Sequence, residues 1–171
     1  ANTTGGNNTA VGYQAGYSNQ TAGNNSVYGY QAGYSNTAGG AFTAIGYLAG
    51  RENTTGNYNT SLGSNALQAN TTASNNTAVG YASLSANTTG TYNVAVGVSS
   101  LAINTTGNYN VAMGGLALDA NTSADSNTAV GYASLTTNTT GSGNTAYGRD
   151  SLAGNTTGSS NTAVGHDALD A

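Results

Sequence analysis

The stretch Asn76-Thr77-Ala78-Val79-Gly80-Tyr81-Ala82-Ser83-Leu84-Ser85-Ala86-Asn87-Thr88-Thr89-Gly90-Thr91-Tyr92 decides the fold, because Asn93-Val94-Ala95-Val96-Gly97 at once begins the same phrase again, 17 residues on. Counting from its first Asn, the glycine at position 5 recurs as Gly12, Gly29, Gly46, Gly63, Gly80, Gly97, Gly114, Gly131, Gly148 and Gly165, always 17 apart. Position 1 is Asn except at Phe42, and position 4 is always large and apolar or aromatic, from Val11 and Tyr28 to Val164. Position 8 is Ala or Ser. Position 9 is Leu from Leu67 onward, but Gly16, Gly33 and Gly50 before it. Position 12 is Asn throughout: Asn2, then Asn19, Asn36, Asn53, Asn70, Asn87, Asn104, Asn121, Asn138 and Asn155.

Surface loops tolerate insertions at little cost, whereas a stacked coil does not. One extra residue would shift every later side chain off its row, so an uninterrupted period predicts that each residue touches its own equivalent in the next repeat. Seventeen residues are too few for a helix pair, and Gly, Asn and Thr are poor helix formers. Thr-Ala-Val-Gly-Tyr reads as a strand, with β-branched and aromatic residues alternating with small ones. Asn-Thr-Thr-Gly reads as a corner leading into a second short strand, since Asn and Gly accept left-handed backbone.

The expected fold is therefore all-β: a parallel β-solenoid, or β-roll, of ten 17-residue turns, one tandem-repeat domain over residues 1–171. At one strand spacing per turn the rod would be about 48 Å long. Alternation places positions 2, 4 and 6 on one face and the tiny positions 3 and 5 on the other. A coil this thin encloses only one of these faces. The other is uncharged in most repeats, and a second copy of the chain is its simplest cover. Asn in register at positions 1 and 12 predicts hydrogen-bonded amide ladders. Where Gly16 and Gly33 replace Leu, Tyr17 and Tyr34 stand ready to fill the gap.

Composition narrows the function classes. The chain has two basic and six acidic residues, a net charge of −4, and no Lys, Pro, Cys or Trp. That balance argues against nucleic-acid binding, and no apolar run reaches the roughly 20 residues of a membrane span. Ala1 and Ala171 share one phase of the repeat and neither end reads as a cap, as expected of a slice from a longer fibre.

The motif Asn-Thr-Ala-Val-Gly, as at Asn76–Gly80, and Asn93-Val94-Ala95-Val96-Gly97 resemble the repeats in head domains of trimeric autotransporter adhesins, whose signature is roughly Asn-Ser-Val-Ala-Ile-Gly. The longer phrase at Asn8–Ala15 is similar to repeat arrays in phage tail-fibre and related bacterial surface proteins. The resemblance implies three chains side by side in a homotrimer, a location outside the cell, on the cell surface or on a virion, and a part in surface attachment. The repeat here is longer than those heads usually show and adds Asn-Thr-Thr-Gly.

No residue pattern points to catalysis or a cofactor: serines abound, but none has a positioned base. His166 is the only histidine, at position 6. Asp150 and Asp167, both at position 7, are the only carboxylates stacked in adjacent turns, close enough to share a cation, yet the Gly-Asp repeats of calcium-binding rolls are missing. Sequons begin at Asn2, Asn53, Asn70, Asn87, Asn104, Asn121, Asn138 and Asn155, among others, and their lock to the period favours a structural ladder over glycosylation. Tyr13, Tyr30, Tyr47, Tyr81 and Tyr132 at position 6 form an interrupted aromatic row, able either to present a surface to glycans or to stack between turns. The sequence thus supports a shaft or spacer that self-associates and continues into neighbouring repeats, with a carbohydrate- or ice-binding module as the alternative. Against ice, Thr at positions 13 and 14 point to opposite faces.

Overall fold

Each turn contributes one three-residue strand at positions 2 to 4, where the β-branched and aromatic residues concentrate. In the computed structural model, which describes residues 2–170, these are β1 (Thr9–Val11), β2 (Ser26–Tyr28), β3 (Thr43–Ile45), β4 (Thr60–Leu62), β5 (Thr77–Val79), β6 (Val94–Val96), β7 (Val111–Met113), β8 (Thr128–Val130), β9 (Thr145–Tyr147) and β10 (Thr162–Val164). They form one parallel sheet in sequence order. Thr77 pairs with Val94, Ala78 with Ala95 and Val79 with Val96, and the same offset of 17 holds at every step. The architecture is a β-solenoid. Ala1 and Ala171, on which the reading of the ends rests, lie outside the described residues.

The rest of each turn is corner. Asn-Thr-Thr-Gly runs as a bend, and no second strand follows it. Corners need sharp turning, and the backbone supplies it with left-handed residues at positions 5, 7, 9 and 17 of every repeat. In one repeat these are Gly80 (φ 129°), Ala82 (52°), Leu84 (49°) and Tyr92 (58°). A left-handed non-glycine residue costs on the order of 1 kcal/mol. The corners recover that cost by hydrogen-bonding to the neighbouring turn: Leu84 N–H donates to Ser100 O at 3.0 Å and Ala82 N–H to Ser64 O at 3.0 Å.

The enclosed face is the small one. Ala78, Ala95, Ala112 and Ala129 at position 3 are fully buried, and Leu67, Leu84, Leu101, Leu118 and Leu135 at position 9 stack beside them as the continuous core of the later turns. The larger residues at position 4 face outward. Seventeen residues with four sharp bends leave an interior only wide enough for a Leu column, the Ala rows and two Asn columns. The expected division into two faces is present at positions 2 to 4, but Gly at position 5 faces along the rod, toward the next turn.

The first three turns are packed differently. Val27 at position 3 and Phe42 at position 1 fill the space that Gly33 and Gly50 leave at position 9. A Cβ on Gly33 would stand 3.0 Å from Val27 Cγ1, and one on Gly50 would overlap the Phe42 ring. Tyr17 and Tyr34 do not fill that gap. Tyr17 is exposed, Tyr34 is half-buried, and their rings stack on each other with centroids 5.2 Å apart. Phenol groups inside would need partners that a Gly-Val-Phe interior lacks.

Truncating a stacked Leu leaves a cavity that the stiff coil cannot close. Leu101→Ala is expected to destabilise the rod by about 2–5 kcal/mol, measured by denaturant unfolding. Ala102→Ser in the next, half-buried position should change it by less than about 0.5 kcal/mol.

Candidate functional site

The residues singled out in the sequence fall into three columns and one outer row. Position-5 glycines form the first column, with φ between 129° and 143° throughout. A Cβ on Gly80 would stand 2.5 Å from Gly97 O, and the same approach to the next turn recurs from Gly12 to Gly148. Both the dihedral and the approach exclude a side chain.

Asparagines form the other two columns, both inside. At position 12, Asn104 Nδ2 donates to Gly107 O at 3.0 Å, closing its own corner, and to Asn87 Oδ1 at 2.9 Å in the turn before. Equivalent rungs join Asn53 to Asn36, Asn70 to Asn53, Asn87 to Asn70, Asn121 to Asn104 and Asn155 to Asn138. The ladder is interrupted between Asn121 and Asn138, and Asn121 Oδ1 is buried without a partner. At position 1, Asn76 Oδ1 accepts the Asn93 N–H at 2.9 Å, while Asn76 Nδ2 donates to Gly90 O at 2.9 Å. The two columns therefore converge on the position-15 carbonyl, which sequence reasoning passed over. Its signal was the restriction of that position to Gly or Ala.

Burial decides the sequons. Asn53, Asn70, Asn87, Asn104, Asn121 and Asn138 are buried, with the side-chain nitrogen engaged inside the coil, so a folded turn cannot carry a glycan there. Asn2 is exposed and Asn155 half-buried. Thr54, at position 13, donates its hydroxyl to Thr71 O at 2.9 Å, whereas Thr55 at position 14 is exposed. The two Thr rows do not make one ice-matching plane.

Among the tyrosines, Tyr13, Tyr30 and Tyr47 stack in one run, with centroids 5.3 and 5.4 Å apart. Tyr81 and Tyr132 stand apart from it, because Ser64, Val98, Gly115 and Arg149 occupy position 6 in their neighbouring turns. Within the run each ring face meets the ring of the next turn, so mainly edges are left for a sugar. Arg51 lies 5.8 Å over the Tyr34 ring and bonds Gln31 Oε1 at 3.3 Å, closing a Gln14–Gln31–Arg51 row.

The sequence left open what the outer face would be. Position 4 forms an uncharged apolar row down the whole rod: Val11, Tyr28, Ile45, Leu62, Met113, Tyr147 and Val164 are 37–71% exposed, and Val79, Val96 and Val130 are half-buried. Charge gathers elsewhere. Near the last turns Asp150, His166 and Asp167 bring ligand-type atoms within 4.8 Å of one another, but Arg149 Nε holds Asp150 Oδ2 at 2.8 Å and His166 Nδ1 lies 2.9 Å from Asp167 Oδ2. These are exposed or half-buried groups already paired with neighbours.

No protein-family model, curated protein or solved structure matches this chain. Its site is therefore read from geometry: a polar ladder inside and an apolar row outside.

Two outcomes follow. Asn104→Ala strips acceptors and donors from three buried partners and should cost about 3 kcal/mol, against little change for the exposed Thr106→Ala, both read by denaturant midpoint. Intact mass of folded protein secreted from a glycosylating host should show no glycan at Asn53 to Asn138. A peptide map finding one on a folded rod would contradict the buried ladder.

Proposed function

We propose that this chain is a rigid shaft segment of an extracellular or viral fibre, assembled side by side as a homotrimer and supporting surface attachment by holding other parts of the fibre away from a surface. One observation carries the reading: the position-4 row is apolar, uncharged and exposed along the whole length of the coil. Soluble monomers rarely leave a contiguous apolar surface of that extent in water, and such surfaces mark association sites. The interior needs no partner to complete it, so the row is what association would cover.

Rigidity supports the same role. A solenoid whose turns are tied by backbone bonds, glycine contacts and amide rungs resists bending, and its stability grows from nearest-neighbour terms. Nothing in such a scaffold requires a moving part.

Sedimentation equilibrium tests the assembly. The chain should sediment at three times its 16.7 kDa mass. Leu62→Lys with Met113→Lys, which place charge on the row, should release monomers while far-UV circular dichroism stays unchanged. Thr55→Lys with Thr106→Lys, on a different face, should leave the trimer intact. A stable monomer for the unaltered chain refutes the proposal.

A further inference from the structure

We propose that the stacked tyrosines are modification sites, at which a one-electron oxidant of the peroxidase class, drawing on hydrogen peroxide, joins successive turns through dityrosine. Tyr92 and Tyr109 occupy position 17 in adjacent turns in the middle of the rod, with ring centroids 5.2 Å apart and ring planes 9° apart. Both are left-handed at φ 58°, so the two side chains leave the coil in the same direction. Their backbones are tied to the preceding turn, Tyr92 N–H to Ser74 O at 3.4 Å and Tyr109 N–H to Thr91 O at 3.1 Å. The rings themselves are 52% and 60% exposed, open to an oxidant and free to turn about their own bonds. Tyr30 repeats the arrangement with Tyr13 and Tyr47, and Tyr17 with Tyr34. The other tyrosines, Tyr28, Tyr58, Tyr81, Tyr132 and Tyr147, have none one period away.

Composition directs the oxidation. The chain has 12 Tyr but no Cys and no Trp, the side chains that would otherwise give up an electron to a phenoxyl radical and quench it. Each phenol of a pair loses one electron and its hydroxyl proton. The two radicals then join Cε to Cε, and each joined carbon passes its hydrogen as a proton to its own phenol oxygen. Two electrons and two protons leave in all, and they reduce one hydrogen peroxide to two waters. The solenoid sets which radicals meet: a ring held one turn away presents a far higher effective concentration than a second chain in dilute solution. The product is a covalent ring across 17 residues, which restricts the unfolded chain as a disulfide does, in a protein that has no cysteine to make one.

Treating the dilute folded chain with a haem peroxidase and hydrogen peroxide, then mapping the digested product by tandem mass spectrometry, reads the pairs directly. Dityrosine fluorescence should appear, and the map should join Tyr92 to Tyr109, Tyr30 to Tyr13 or Tyr47, and Tyr17 to Tyr34, each staple costing the chain two hydrogens. Tyr58, Tyr81 and Tyr132 should stay unjoined. The same treatment of the chain unfolded in denaturant should erase that selectivity. Tyr109→Phe keeps the ring but should remove every cross-link of Tyr92. Val98→Tyr places a partner one period from Tyr81 and should create a cross-link where the unaltered chain has none. The stapled rod should unfold at a higher denaturant concentration than the untreated one. Folded protein that yields no dityrosine, cross-links spread evenly over stacked and isolated tyrosines, or the same map from folded and unfolded chain would each overturn the proposal.

Discussion

Each turn of this protein meets the next at a point where no side chain fits. The Gly97 carbonyl lies 2.5 Å from where a Cβ of Gly80 would stand, and the same contact recurs at every step of the period. Everything else follows from that approach. Turns held this closely can exchange backbone hydrogen bonds on all sides of the coil, which in turn offsets the four left-handed residues each repeat needs to close on itself. An insertion would break this contact and every rung beyond it, so the period is unbroken for a mechanical reason.

The interior shows how a chain poor in large apolar residues remains ordered. Its core is a single file of leucines flanked by alanine, and the remaining space is taken by asparagine amides. Buried amides are stabilising only when satisfied. Here both columns reach the same carbonyl and reach each other across turns, so polar groups that would be liabilities in a globular core become part of the stacking. The exceptions fall at breaks in the pattern: Asn25 beside Phe42, and Asn121 at the interrupted rung.

Much of this was legible in the sequence. The period fixed the parallel pairing and its register, because only vertical stacking makes a strict repeat necessary. The strand read over positions 2 to 6, however, ends at position 4, where the left-handed glycine turns the chain, and the second strand expected after Asn-Thr-Thr-Gly is a bend. The asparagine columns were legible for the same reason. Which face turns inward was not. A preference for burying Val, Ile and Tyr would place position 4 inside, yet the interior is too narrow for those side chains and admits alanine. The left-handed leucines were also hidden, since Leu has no preference for that conformation and adopts it only because the neighbouring turns impose it. Nor could spacing show that Val27 and Phe42, rather than Tyr17 and Tyr34, compensate for Gly33 and Gly50. That exchange depends on which side chains point inward.

The outer surface separates structure from use. The rings of Tyr13, Tyr30 and Tyr47 spend their faces on one another, and the Thr rows lie on different sides, so neither offers a prepared binding plane. The position-4 row remains as the feature that stacking does not consume. The account stands or falls on like residues lying over like residues along one axis. High-resolution electron cryo-microscopy of the rod measures that directly: the account predicts density layers about 4.8 Å apart along its length, one 17-residue turn per layer, with the position-5 glycines in a single line. A particle without that layer spacing, or with those glycines dispersed among unrelated environments, would contradict it.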